Sequence, residues 1–261
     1  MVCATALHTA HGFSPADDAR RLRLRYAALS LRDDSITITQ AAMALGFGSV
    51  DGFARAFHRE FGCTPGAYAA HPTPLYLFHP YGVKFSKPER KTSMNTKCVF
   101  VQLMEKPARK VILKRGITAK HYWTYCEEVG CDVWGLLLSI KSISGEPVCL
   151  WLPEHLILPG TSEYVQGVEV DASYAGHVPA GFEIIDLPAA TYLMFQGEPF
   201  PEEAYGEAIR QVQHAIQQYQ PSLTGYQWDP SNPKIQLEPI GTRGYIELHP
   251  VVPLSGQVRI P

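Results

Sequence analysis

No apolar run in these 261 residues approaches the roughly 20 needed to cross a bilayer, so no membrane span is expected. No signal peptide is expected from the N-terminal residues. The six cysteines (Cys3, Cys63, Cys98, Cys126, Cys131 and Cys149) form neither a Cys-x-x-Cys pair nor a dense framework, which fits reduced thiols in a cytoplasmic protein. Cys126 and Cys131 are spaced unusually for zinc, and no metal site is expected. There is no Gly-x-Ser-x-Gly, no phosphate loop and no metal-ligand cluster, so common hydrolase, nucleotide and metalloenzyme chemistries lack support and no cofactor is expected. A large excess of one charge is missing too: the net charge is −2. Its distribution is uneven, however. Residues 1–75 carry seven basic and six acidic side chains, 76–97 five and one, and 98–261 eleven and eighteen. A mildly basic front and an acidic back fit a nucleic-acid module joined to something that does not touch nucleic acid.

What is present is clearest in residues 38–71. An Ala-rich helical run over 38–45 ends at Gly46, which can take the left-handed turn position. Ser49 is a good N-cap for a second helix, where Phe53, Phe57 and Phe61 recur on one face. Gly62 stops that helix, Thr64 caps the next, and Pro65 sits in its first turn, where a missing N–H costs nothing. Helix, glycine-containing turn, helix is the helix-turn-helix pattern, though the spacing alone suits a generic helical bundle as well.

The string GFGSVDGFARAFHREFGCTPGAYAAH closely resembles the second helix-turn-helix of AraC/XylS-type transcription regulators. Upstream, RRLRLRYAALSLRDDSITITQAAMA resembles the long helix linking that family's two helix-turn-helix units, so the likeness covers about residues 12–72. It implies that the 49–60 helix enters the DNA major groove, with Ser49, Val50, Asp51, Arg55 and Arg59 facing the duplex. Arg55 could read a guanine or clamp a phosphate, and Arg59 would clamp a phosphate. Asp51 is repulsive to phosphate unless it accepts from cytosine. Residues 1–14 leave no room for the family's first helix-turn-helix: its start has been lost or misassigned, or the module is a relic. One reader binds weakly, so dimerisation or a partner such as RNA polymerase is expected to supply the remaining affinity.

Residues 72–97 hold four prolines and a Lys/Arg cluster and read as a linker. From 98 onward the pattern alternates. Strands are expected at 98–105 and 108–116, or one strand kinked at Pro107, and a helix from 121 to about 128 or running on toward Leu138. Further strands are expected at 134–143, 148–152, 164–170, 182–187 and 191–196, then a helix over 201–220 and strands at 234–238 and 245–251. Two successive strand-helix-strand units suggest a duplicated half.

The stretches LPAATYLMFQGEPFPEEAYGEAIRQV and GYIELHPVVPL resemble the GyrI-like effector-binding domain, which follows AraC-type readers in Rob-like proteins and MerR-type readers in BmrR-like sensors. The likeness covers about residues 98–256 and implies an aromatic cleft between pseudo-twofold halves. That cleft accepts lipophilic, often cationic, small molecules; some relatives instead hydrolyse cyclopropane-containing toxins with a cleft glutamate and tyrosine. Alternation in 245–249 puts Tyr245, Glu247 and His249 on one face. A buried, unpaired Glu247 would raise its pKa or seek a cation, which makes it the expected ligand anchor. Trp123, Tyr164, Tyr192 and Trp228 are the preferred aromatic lining, suited to cation–π contact.

The expected architecture is thus α+β and multidomain. An all-α helix-turn-helix module occupies 1–72, a linker 73–97, and a duplicated strand-helix-strand-strand effector-binding domain 98–261. The expected function is a DNA-binding transcription regulator with ligand occupancy acting on the reader through the linker. The alternatives are a drug-sequestering protein with a vestigial reader, or a small hydrolase using the same cleft.

Overall fold

The computed structural model describes residues 15–33, 35–79 and 98–254. Residues 1–14 and the basic part of the expected linker lie outside them. The described chain forms two compact units. One holds the residues up to 79 together with Cys131–Lys141; the other holds 98–130 and 142–254. No helix among the described residues is long and apolar enough to cross a membrane.

In the helical unit, α1 (Pro15–Arg32), α2 (Ile38–Ala44), α3 (Val50–Phe61) and α4 (Pro65–Ala70) start where their caps dictate. Thr37 and Gln40 make a reciprocal capping box at α2. Ser49 Oγ accepts from Gly52 N at 3.0 Å, and Thr64 Oγ1 from Ala67 N at 3.2 Å. Gly62 ends α3 at φ 74°, a left-handed position that a side chain would strain. Phe47, Phe53, Phe57 and Phe61 stack edge-to-face with ring centres 4.7–5.7 Å apart. With Leu24, Ala28, Leu31 and Tyr68 they form this unit's core. The core continues past the expected boundary at 72, because Leu75, Leu77 and Phe78 are buried as well.

One expected strand is a helix. The β reading of 134–143 gives way to the alternative of a helix running on toward Leu138: α6 (Asp132–Ser139) is helical and belongs to the helical unit. Val133, Trp134, Leu136 and Leu137 are all buried, and a short apolar run buried on every side carries no period to tell strand from helix. Gly135 passes so close to the Leu77 carbonyl that a Cβ there would lie 2.0 Å from its oxygen.

The second unit is one antiparallel sheet with α5 (Tyr122–Val129) and α7 (Tyr205–Gln218). Its strands are β1 (Val99–Lys106), β2 (Arg109–Arg115), β3 (Val148–Trp151), β4 (Tyr164–Asp171), β5 (Glu183–Leu187), β6 (Ala190–Gly197), β7 (Tyr226–Trp228), β8 (Lys234–Gln236) and β9 (Ile246–Pro253). They run in the order β1-β6-β9-β8-β3-β4-β2-β5, with β7 beside β9. Residues 99–115 and 183–197 behave as two long strands bent at Pro107 and Pro188. Their register is continuous, from Val99 opposite Gly197 to Leu113 opposite Glu183. Proline cannot donate to the ladder, so the bends fall where each strand changes neighbours.

The expected duplication is visible in the pairing. β1-β2-β3-β4 and β5-β6-β8-β9 have matching partners, with Val111 opposite Glu169 and Tyr192 opposite Pro250. The halves meet where β3 pairs β8, Cys149 opposite Gln236. Each half lends its first strand to the other: β1 pairs β6, and β5 pairs β2. One sheet face is a continuous core drawn from eight strands, including Val111, Leu150, Val165, Leu187, Tyr192 and Leu248. On the other face α7 covers Leu193, Phe195, Tyr245 and Val251.

Candidate functional site

On α3 the residues expected to face DNA occupy the outer surface in part. Ser49, Asp51, Arg55 and Arg59 are exposed, whereas Val50 is half-buried and packs on the helical core. Asp51 lies in the first turn of α3, where a carboxylate is favoured by the helix dipole. The arginines of α1 are largely engaged within the unit. Arg21 pairs with Glu60 at 2.7 Å, Arg23 donates to the Leu45 carbonyl at 3.3 Å, and Arg25 donates to the Phe78 carbonyl at 3.4 Å.

In the sheet unit a cavity of about 630 Å³ opens between the duplicated halves. Trp151 of β3 lines it from the first half; Trp228 of β7 and His249 of β9 line it from the second, with Tyr219 after α7. Trp228, Tyr219, His249 and Phe195 form one aromatic cluster: Trp228 and His249 are 5.6 Å apart between ring centres, and Phe195 and Tyr219 5.2 Å. Trp228 remains 39% exposed, so a large apolar ring is presented to whatever enters. Two carboxylates, Glu163 and Asp229, share the lining with one ammonium, Lys234. That ammonium sits 5.9 Å from the Trp151 ring centre, a cation–π contact made by the protein itself. Asp229 is fixed by Ser231 and Asn232, which bond its two oxygens at 2.5–2.9 Å. Burial works to raise its pKa, but these bonds hold it below the ordinary aspartate value.

The expected alternation along β9 is present. Ile246 and Leu248 enter the eight-strand core, while Tyr245, Glu247 and His249 face the other way and bond one another. Glu247 is only 5% exposed, yet it is not unpaired. The Tyr245 hydroxyl and Gln213 Nε2 (3.2 Å) donate to Oε1, and His249 Nε2 lies 3.0 Å from Oε2. Burial pushes its pKa up; the bonds from His249, Tyr245 and Gln213 outweigh that and leave it below the usual glutamate value. The expectation of a lone acid with a raised pKa therefore gives way to a satisfied carboxylate. It stands behind His249, and His249, not Glu247, lines the cavity.

The remaining expected aromatics are spread out. Tyr164 is fully buried, 5.1 Å from Trp151 between ring centres, so it backs the cavity wall. Tyr192 lies in the opposite core, where Arg109 Nη2 donates to its hydroxyl at 3.1 Å and burial, foremost, pushes its pKa up to about 12. Trp123 packs on Tyr122 with ring centres 5.3 Å apart and is absent from the cavity lining. Asp229 was missed, although the string Trp228-Asp229-Pro230-Ser231-Asn232-Pro233 is a turn signal of the kind that fixes an aspartate by its own neighbours.

A buried ion cluster was missed as well. Arg109 Nε and Lys106 Nζ flank Glu169 at 2.6 and 2.7 Å. The same guanidinium donates to the carbonyls of Pro107 and Pro188, both at 3.3 Å, and so ties the two strand bends together.

Residues 3–71 match a family model described as a helix-turn-helix domain. Among curated proteins, the RCS-specific HTH-type transcriptional activator RclR of Escherichia coli (strain K12) is 39% identical over 57 residues, which is 22% of this chain and 20% of that protein. The chain therefore matches about a fifth of the length of this relative. A Streptomyces lividans protein described as an AraC-like transcription regulator is 37% identical over 62 residues, 24% of this chain and 20% of that protein. These matches bear out the helix-turn-helix and its likeness to AraC-type regulators. Among solved structures, SAV2435 bound to tetraphenylphosphonium is similar at 18% identity, over 60% of this chain and 94% of that one, with a TM-score of 0.38. The EcmrR C-terminal domain is similar at 16% identity, over 60% and 99%, with a TM-score of 0.40.

Proposed function

We propose that the chain is a DNA-binding transcription regulator whose sheet unit binds a lipophilic, cationic small molecule in the cavity between its halves. The observation that carries the ligand reading is the wall itself. Two tryptophans from different halves, with Tyr219 and His249, face a volume of about 630 Å³ that also holds the Glu163 and Asp229 carboxylates. Volumes of about 300–1,000 Å³ with apolar walls and few polar groups are typical of small-molecule sites. A ligand cation gains ring-face attraction and carboxylate pairing together, and Lys234 beside Trp151 occupies such a position already.

Glu247 then acts through His249, holding its ring against the cavity and not pairing with the ligand itself. Binding is favoured over hydrolysis because Glu247 does not line the cavity, whereas a general base needs to lie within hydrogen-bond reach of the substrate. In the helical unit, the exposed Arg55 and Arg59 on a helix capped by Ser49 support major-groove entry. Dimerisation, or contact with RNA polymerase, would add the affinity that one reader lacks.

A single titration series tests this. Tetraphenylphosphonium should quench the tryptophan fluorescence of the full chain saturably, and Trp228→Ala should weaken the binding about tenfold. The same protein should enrich a common site from random-sequence duplexes, and Arg55→Ala should cost about 1–3 kcal/mol at one base position. No saturable quenching removes the ligand half of the proposal. Retention of duplexes without sequence enrichment, erased by moderate salt, removes the regulator half.

A further inference from the structure

Helix α6 is the one helix of the helical unit that comes from the middle of the sheet unit's sequence. It is held there by several bonds. Leu77 N donates to the Gly135 carbonyl at 3.4 Å, and Leu75 N to Ser139 Oγ at 2.8 Å. From α1, Arg32 Nη1 donates to the carbonyls of Leu138 at 2.8 Å and Ile140 at 3.2 Å. The close pass of Gly135 under Leu77 leaves no space for a side chain, so the fit is specific to this residue. Trp134 adds a ring contact with His79, 6.5 Å between centres.

Both stretches of chain flanking α6 lead to the cavity wall. On the C-terminal side the next element is β3, which ends in Trp151. On the N-terminal side α5 abuts α6 through Gly130 at φ 91°. Its Tyr125 ring packs on Tyr164 at 5.7 Å, and Tyr164 packs on Trp151 at 5.1 Å. The indole Nε1 of Trp151 also donates to the Lys120 carbonyl at 2.9 Å, just before α5. Trp151 is thus joined to both ends of α6, through β3 and residues 140–147 on one side and through Tyr164 and α5 on the other.

We infer that α6 is the lever by which cavity occupancy reaches the helix-turn-helix, a proposal that rests on the ligand reading above. It places the coupling in a packed helix and its bonds to Arg32 and to residues 75–77, at the start of the 72–97 stretch that the sequence had suggested. Two sites are coupled when a ligand changes the balance of an element shared by both, and the Leu75 and Leu77 amides report that balance directly.

The test is hydrogen exchange at those two amides in the full chain, with and without saturating tetraphenylphosphonium, while tryptophan fluorescence monitors binding. The expected result is a change of about fivefold or more in their exchange rates on binding. Gly135→Val, which forces α6 off Leu77, should abolish that change and move tetraphenylphosphonium affinity by a comparable factor, tighter if binding had sped exchange and weaker if it had slowed it. Ser139→Ala, a smaller perturbation that removes the acceptor of the Leu75 amide, should abolish it at Leu75 alone. Saturable binding with unaltered exchange at both amides overturns the lever and leaves the cavity reading standing. An absence of binding by the unaltered chain overturns both.

Discussion

In the second half of the sheet unit, α7 lies over its own strands, with Ala208 and Val212 buried against Phe195 and Tyr245. In the first half the helical stretch breaks at Gly130, and its second piece, α6, packs with another unit altogether. The strands beneath are matched nearly residue for residue, so strand pattern alone does not decide the fate of a helix. The polar residues diverge in parallel. Tyr164-Val165-Gln166 of β4 stands where β9 has Tyr245-Ile246-Glu247. The Tyr245 hydroxyl donates to Glu247. Among the described residues the Tyr164 hydroxyl has the Cys149 thiol beside it and no nitrogen or oxygen partner, and Gln166 Oε1 has none either. One half has a fully bonded acid behind the cavity; the other has a neutral, incompletely bonded copy. Duplication supplied two equivalent frames, and each has since been fitted to a different neighbour.

Substitutions that make the halves alike probe this divergence, with urea unfolding read by tryptophan fluorescence. The largest effect is expected from Arg109→Ala, which gives the first half the alanine that the second has at Ala190. It strips Glu169 of one of its two cations, frees both bend carbonyls and leaves the Tyr192 hydroxyl without its donor, for a loss of about 4 kcal/mol. A loss under about 1 kcal/mol would mean that Lys106 alone suffices.

Gln166→Glu comes next. It copies Glu247 into a site where Val168 stands in place of His249 and, among the described residues, only the Tyr164 hydroxyl is spare to donate, so the new carboxyl should be held protonated by burial. With a folded pKa above the unfolded one, the penalty is absent below about pH 4.3 and grows as pH rises through the window between the two values, reaching about 2–3 kcal/mol at neutrality. A pH-independent stability would show that donors can reorganise around it.

Glu247→Gln is the smallest, about 1–2 kcal/mol at neutral pH. Its sign with pH is opposite. The native acid has a depressed pKa, so its contribution is present above about pH 4.5 and is lost as pH falls through the folded value; the variant should lack that acid-side decline. An identical acid limb in both proteins would mean that the network around Glu247 stores no such energy.

Much of this was legible from local signals. Ser49, Gly62, Thr64 and the Phe53-Phe57-Phe61 row each act within a turn or two, so helix ends and the buried face of α3 followed from the residues themselves. The alternation that places Tyr245, Glu247 and His249 together is equally local. What failed depended on distant chain. Residues 133–137 are apolar and buried all round, so no period marks them as helix, and nothing near Gly135 announces the close pass of the Leu77 carbonyl. Three-residue β7 was invisible because so short a strand exists only beside β9. Trp151 and Trp228 line one cavity because β3 pairs β8 and β8 pairs β9, a long-range arrangement that no window of sequence contains. The same limit hid the donors that satisfy Glu247, since Gln213 comes from α7.

The strand exchange between halves has a consequence for how the molecule is made. As the chain leaves the ribosome, β1 emerges while β6, its one ladder partner among the described residues, is still untranslated. Until then a strand carrying Phe100, Val101 and Leu103 waits with both edges open, which invites capture by other nascent chains. Closure of this sheet is a late event set by the slowest, most distant pairing, and the cell's chaperones are the natural guardians of that interval.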